Sequence, residues 1–251
     1  TVEELYLTGR HIEQYRHATY LPDPYYLEGL KRDPGDIRVN TAYGSLLLSR
    51  GLFEESEIYF RRAIKRATWK NPNPYDSEAY YKLGLSLFYQ QKYEKAYDAF
   101  YKATWSSEQQ EMSFYYLAAI ACTGGACEEA LHLIDRGLVK NWHNVKARGI
   151  KAAILRKTGR EEEAKRWIEE SLKIDPFDYV SRWEKLSWLR GETRDAESRT
   201  LASCMRDSAE AYLRLAKDYA ECGFYPEAGE VLAACPARAA LNEYYKGYYM
   251  R

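Results

Sequence analysis

Cys122 and Cys127 flank the tetrapeptide "TGGA", a pairing that raises metal binding or thiol redox exchange. Zinc sites use C-x-x-C pairs with further Cys or His close by, and none follows here. Cys204, Cys222 and Cys235 bring the total to five, an odd number without framework spacing. All five are expected as free thiols filling small buried positions. His11, His17, His132 and His143 are scattered. His11 and His17 share a predicted helix with Glu13, but six residues do not place them on one helix face. Glu161 to Glu163, with Glu169 and Glu170, could suggest carboxylate chemistry. At helical spacing with Lys165 and Arg166 they read as ion-paired surface. No H-E-x-x-H, G-x-S-x-G, Walker loop or G-x-G-x-x-G after a strand is present. The chain is therefore expected to have no catalytic residue, no metal site and no cofactor, and not to be an enzyme.

Charge restricts the partners. Lys and Arg number 37 and Asp and Glu 37, for a formal net charge of zero. That argues against a footprint for nucleic acid or anionic lipid. The local run "RRAIKR" from Arg61 reads as the solvated face of a helix. No run approaches the ~18 apolar residues of a membrane span, and no charged-then-apolar leader is visible. The sequence opens on Thr1 already in helical pattern, so the expectation is a cytoplasmic piece excised from a longer chain.

The elements that would position any site are helices. Of the 251 residues 46% are apolar, enough for a core. Apolar faces with a 3.6-residue period recur in "EAYYKLGLSLFYQQ", "KYEKAYDAFYKAT" and "EEEAKRWIEESLKI". Turns such as "SRGLF", "QQKY", "TGGAC", "KTGR" and "ECGFYP" separate them, which predicts antiparallel helical hairpins.

A fixed period runs through the pattern. Gly84 is followed by Ala96, Phe100 and Ala103 at offsets of 12, 16 and 19. Ala118 lies 34 residues on, with Ala130, Ile134 and Gly137 at the same offsets, and Ala152 another 34 on, with Ala164, Ile168 and Ser171. Gly44 heads a copy with Ser56, Phe60 and Ala63, and Ala216 one with Ala228, Leu232 and Cys235. Small residues let the two helices of a hairpin approach closely. Leu83, Leu87, Phe100, Leu117, Leu155 and Ile168 are expected to fill the layers between hairpins.

Three places depart from the period, the first being the copy at Leu5 to Pro34, which needs one extra residue in its turn. Gly44 to Gly84 spans 40 residues, a surplus of six, falling in "NPNPYD". Pro72 and Pro74 forbid helix continuation, Asp76 or Ser77 can cap the restart, and the preceding helix is expected to reach about Lys70. This insertion reads as a tolerated loop before it reads as a binding lip. Ala152 to Ala216 is 64 rather than 68, so the copy at 179–205 is degenerate.

The 34-residue period, with its small residues and a closing Pro176, resembles the tetratricopeptide repeat over nearly the whole chain. The fold implied is all-α, a right-handed superhelical solenoid of tetratricopeptide-type hairpins. A single array over residues 1–251 is expected, of about seven hairpins, with helix 241–251 unpaired or capping. "LTGRHIEQYRHAT", "NPNPYDSEAYYKLGL" and "YDAFYKATW" are further similar to the repeat region of large bacterial proteins in which a β-rich, mutarotase-like segment precedes the repeats. That resemblance implies an N-terminal neighbour and a loose association with carbohydrate metabolism.

The repeat resemblance implies that first helices line a concave groove, through residues three before and one after the small position. Those series include Tyr6, Thr41, Tyr81, Tyr115, Gly149, Trp183 and Leu213, then Arg10, Ser45, Leu85, Ala119, Ala153, Ser187 and Lys217. The expected binding residues are Tyr81, Lys82, Leu85, Phe88, Tyr89, Tyr115, Tyr116 and Trp183. Some relatives clamp a terminal carboxylate with Lys and Asn at these places. Tyr, Leu and Ala stand there in this chain, which disfavours a clamp. An aromatic, weakly charged groove suits a protein segment or the parent's own N-terminal domain. The alternative is a carbohydrate-binding accessory module of a sugar-processing enzyme, its rings stacking on sugars. The terminal "YYKGYYM" leaves homo-oligomer formation open.

Overall fold

The computed structural model describes residues 1–15 and 18–250, and the regular structure among them is helical. His17 falls outside the described residues. The chain divides into two compact units, Thr1–Ser113 and Phe114–Arg251.

The first unit holds α1 (Val2–Gln14), α2 (Asp23–Arg32), α3 (Ile37–Ser49), α4 (Phe53–Ala67), α5 (Glu78–Tyr89) and α6 (Tyr93–Ala103). Here α1 packs on α2, α3 on α4 and α5 on α6, while α2 on α3 and α4 on α5 join successive hairpins. One hairpin cannot bury both of its apolar faces, so neighbours complete the core. Tyr26, Leu30, Val39, Tyr43 and Leu47 show this between the first two hairpins.

α7 (Ser107–Thr123) begins in the first unit and ends in the second. The second unit continues with α8 (Cys127–Lys140), α9 (Val145–Lys157), α10 (Glu161–Ile174), α11 (Tyr179–Lys185) and α12 (Gly191–Met205). α13 (Ala209–Glu221), α14 (Tyr225–Ala233) and α15 (Ala240–Tyr249) complete it. α9 packs on α10, α13 on α14, and α15 on α14. The degenerate copy survives as a seven-residue α11 and a fifteen-residue α12.

Local chemistry sets the ends of these helices. Asp36, Asn144 and Asp178 each accept a hydrogen bond from the backbone N–H three residues on, at Val39, Ala147 and Ser181. Seven residues past each small position the chain turns with positive φ: Gly51, Gly125, Gly159 and Gly223 at +79°, +79°, +76° and +74°, and Gln91 at +60°. Glycine suits that left-handed turn because it has no Cβ.

Two expectations are corrected, the end of α4 and the place of Phe100, and the capping falls to one of its two candidates. α4 stops at Ala67, short of Lys70. The restart at α5 divides the capping: Asp76 Oδ1 accepts from Glu78 N–H at 2.7 Å, while Ser77 Oγ donates across the hairpin to the Ala103 carbonyl at 2.9 Å. Phe100 lies inside its own hairpin, its ring against Gly84, rather than between hairpins. Tyr26 and Phe60 cover Gly9 and Gly44 in the same way.

Candidate interaction surface

On α5, Tyr81, Lys82, Leu85 and Tyr89 form a half-buried face. Tyr81 rests 5.9 Å from the Phe100 ring, and the Lys82 ammonium lies 5.9 Å from the Tyr81 ring centre. Tyr89 stacks on Phe53 at 5.2 Å. Phe88 is 5% exposed, wedged beside Tyr89 and Tyr93, and offers no ring to a ligand.

The six-residue surplus builds one wall of a cavity of about 330 Å³ next to this face. Ile37 and Thr41 of α3, Ile64 of α4, Pro74 and Tyr75 of the insertion and Tyr80 of α5 line it. Tyr75 is 99% exposed. Asn71 Oδ1 accepts from the Asn73 N–H, and Lys102 donates to Asn73 Oδ1, which pins the loop to α6. Tyr75 and Tyr80 were not among the expected binding residues. The signal that could have found them was the break in period itself.

The second unit is arranged differently. Tyr115 and Tyr116 are 1% and 6% exposed, and Gly149, Ala119 and Ala153 are buried with them. The reason is α13. With only seven residues, α11 leaves part of the thirteen-residue α9 uncovered, and α13 packs there. Asp218 and Glu221 of α13 meet the Lys146 ammonium at 3.2 and 2.6 Å, and the Tyr115 hydroxyl donates to Glu221 at 3.5 Å. Tyr115 and Tyr116 are therefore core residues, corrected from groove residues. Burial alone would lower the Lys146 pKa, but Glu221 and Asp218 more than offset it and leave it raised. Burial, with Glu221 nearby, raises Tyr115, which stays a neutral donor.

A second set of charges ties α9 to α11 and α14. Arg156 donates to Glu184 at 2.5 Å and to Glu227 at 3.2 Å, Lys157 donates to Glu227 at 2.6 Å, and the Tyr219 hydroxyl donates to Glu184 at 2.6 Å. Trp183, half-buried, lines a cavity of about 180 Å³ over this network, with Arg194 and Glu230 at its rim.

Cys122 has a second thiol neighbour besides Cys127. It lies near Cys222, both are buried, and this neighbour together with burial raises the Cys222 pKa well above the usual thiol value. Such thiols are poor nucleophiles. Among the described residues no group of three or more His, Cys, Asp or Glu could hold a metal ion, and no helix is long and apolar enough to cross a membrane.

Hairpins of this geometry, with a small first-helix residue under a large second-helix one, give each unit an all-α fold of tetratricopeptide type. The family model described as tetratricopeptide repeat matches residues 37–68, which are α3 and α4, and residues 145–178, which include α9 and α10. A tetratricopeptide repeat protein from Parabacteroides merdae ATCC 43184 superposes with a TM-score of 0.64 at 13% identity, covering 100% of this chain and 99% of that one. The Pseudomonas aeruginosa protein pilF gives 0.58 at 15% identity, covering 98% and 97%. MamA gives 0.58 at 17% identity, covering 76% of this chain and 94% of that one. At these identities the likeness is one of fold.

Proposed function

We propose that this chain is a noncatalytic interaction scaffold whose first unit takes an extended protein segment. The observation that carries the reading is the cavity of about 330 Å³ between α3, α5 and the insertion, with Tyr75 standing free at its mouth. An exposed tyrosine beside an apolar cleft supplies contact area at low conformational cost. Tyr81, Lys82, Leu85 and Tyr89 form a half-buried face on the same helix, α5. The fold supports this reading: a chain of the APC/C hetero-tetramer Cut9-Hcn1 shares it at a TM-score of 0.56 over 100% of this chain and 46% of that one.

The occupant we favour is the N-terminal β-rich neighbour implied by the resemblance, or a segment of another protein. Thermal unfolding of the chain with that neighbour supplied in trans, with peptide pools and with oligosaccharides tests it. A ligand at ~100 times its Kd adds about 2.7 kcal/mol to the folded state. The reading requires a stabilising shift with protein or peptide that Tyr75→Ala plus Ile37→Glu abolishes. A shift with oligosaccharides alone would replace it with the accessory-module reading.

A further inference from the structure

On the other side of the α4 C-terminus lies a second, larger cavity, of about 650 Å³, lined by Pro34, Gly35, Arg62, Lys65, Arg66 and Trp69. Lys70 joins its rim, the ammonium 5.8 Å from the centre of the Trp69 ring, with the Arg66 guanidinium at 5.4 Å. Trp69 is 70% exposed and all four cations are exposed. Their neighbour Arg61 is paired to Glu57, but none of the four has a carboxylate at ion-pair distance among the described residues. The nearby Asp33 is occupied at one oxygen by the Gly35 N–H, at 3.0 Å.

Four cations without a carboxylate on so short a stretch need a reason. Like charges at i and i+4 destabilise a helix. The helix dipole rewards Lys65 and Arg66 in the last turn of α4. It does not account for Arg62, a turn earlier, whose guanidinium lies 5.3 Å from the centre of the Tyr59 ring, or for Lys70, beyond the helix end. An indole and a proline side by side in the open add a second oddity, an apolar floor within reach of the charges.

We infer that this surface binds an acidic, extended peptide segment with an apolar residue following its carboxylates. Arg62 and Arg66 are one helical turn apart, about 6 Å along the axis. Side chains i and i+2 of an extended chain project from the same side about 6.6 Å apart. Two carboxylates in an acidic-x-acidic arrangement therefore meet the two guanidiniums, each able to bond bidentately. The next side chain on that face falls toward Trp69 and Pro34, where an aliphatic group packs against indole. Lys65 and Lys70 flank the track and steer the approach. Single-stranded nucleic acid, the other polyanion with an appetite for tryptophan, is disfavoured: four cations on a chain of zero net charge make a short track.

The probe is a fluorescein-labelled heptapeptide with two glutamates separated by one serine and followed, after another serine, by leucine. Fluorescence anisotropy with the full chain should show binding that weakens with added salt and by about tenfold in R62Q plus R66Q. Replacing both glutamates by glutamine should do the same, and Trp69→Ala should erase the preference for leucine over serine. Tyr75→Ala, which alters only the cavity on the other side of α4, should leave this binding unchanged, so the two readings fail separately. No binding at millimolar peptide, or equal affinity for the glutamine peptide, overturns the inference. So does an affinity unaltered by R62Q plus R66Q, or tighter binding of a thymidine dodecamer than of the peptide.

Discussion

A Cβ placed on Gly84 would lie 2.6 Å from Cδ1 of the Phe100 ring. The same relation joins Gly44 to Phe60 at 2.8 Å and Gly9 to Tyr26 at 2.5 Å. In the second unit the small position is alanine, and its counterpart sixteen residues on is aliphatic: Ala118 with Ile134, Ala152 with Ile168, Ala216 with Leu232, all buried. The sequence thus varies the two positions together, ring with glycine or branched chain with alanine, at near-constant volume.

Gly84→Ala is expected to destabilise the chain by about 1 kcal/mol, overpacking against a buried ring outweighing alanine's helix preference. Phe100→Leu leaves a cavity and costs about 1–2 kcal/mol. The double variant recreates the Ala216–Leu232 pair and should be more stable than the sum of the two by about 2 kcal/mol. Urea unfolding of the four proteins measures this. Strict additivity would refute the packing account.

Gln91 occupies the turn position that glycine holds at 51, 125, 159 and 223, at φ +60°. Gln91→Gly removes the Cβ penalty of the left-handed conformation and should stabilise by about 0.5–1 kcal/mol. A lower midpoint in chemical unfolding would show that the side chain has contacts that matter more.

Arg148 is 1% exposed, its guanidinium 4.6 Å from the centre of the Trp142 ring and 4.1 Å from that of Trp167, with Nε donating to Ser171 at 3.0 Å. Its Nη2 has no hydrogen-bond partner. Arg148→Ala loses the filling between two indoles and should cost about 3 kcal/mol. Arg148→Met keeps the filling and removes the unsatisfied nitrogen, so its cost should stay below about 1 kcal/mol. Equal losses in the two variants would mean that the charge, not the packing, is what the site needs.

Asp178 is 1% exposed, and burial pushes its carboxyl from the ordinary 3.8 up to about 6 against the lowering effect of Ser181. Below pH 4 the folded and unfolded states both hold the proton. As pH rises from about 4 to about 6 the unfolded chain releases it first, so this group's contribution to stability falls, by about 3 kcal/mol in all. Asp178→Asn keeps the helix cap, as Asn144 does 34 residues earlier, and cannot ionise. The variant should gain on the parent between pH 4 and pH 7. A pH-independent difference would place the ionisation elsewhere.

Cys122 and Cys222 are buried, whereas Cys127, Cys204 and Cys235 are partly accessible. Iodoacetamide should label the latter three in the folded chain and reach the first two only on unfolding. Mass mapping of labelled peptides decides it, and early modification of Cys222 would contradict the packing of α13.

The sequence alone determined the helices, their turns and their pairing in hairpins, because each hairpin repeats a local pattern: a small residue, a turn seven residues on, a large residue sixteen on. It also located the two later irregularities, the surplus at "NPNPYD" and the shortfall before Ala216. What the irregularities do was decided only in three dimensions. The insertion walls a cavity because Pro74 and Tyr75 meet side chains of α3, more than thirty residues earlier. The shortfall draws α13 onto α9, and Lys146 finds Asp218 and Glu221 more than seventy residues away. Tyr115 and Tyr81 stand at equivalent positions of the repeat, yet one is core and the other half-buried. Periodicity specifies what a helix shows its hairpin neighbours. Which other helix then comes to lie on the remaining face depends on the summed geometry of the intervening repeats, and no local spacing encodes it.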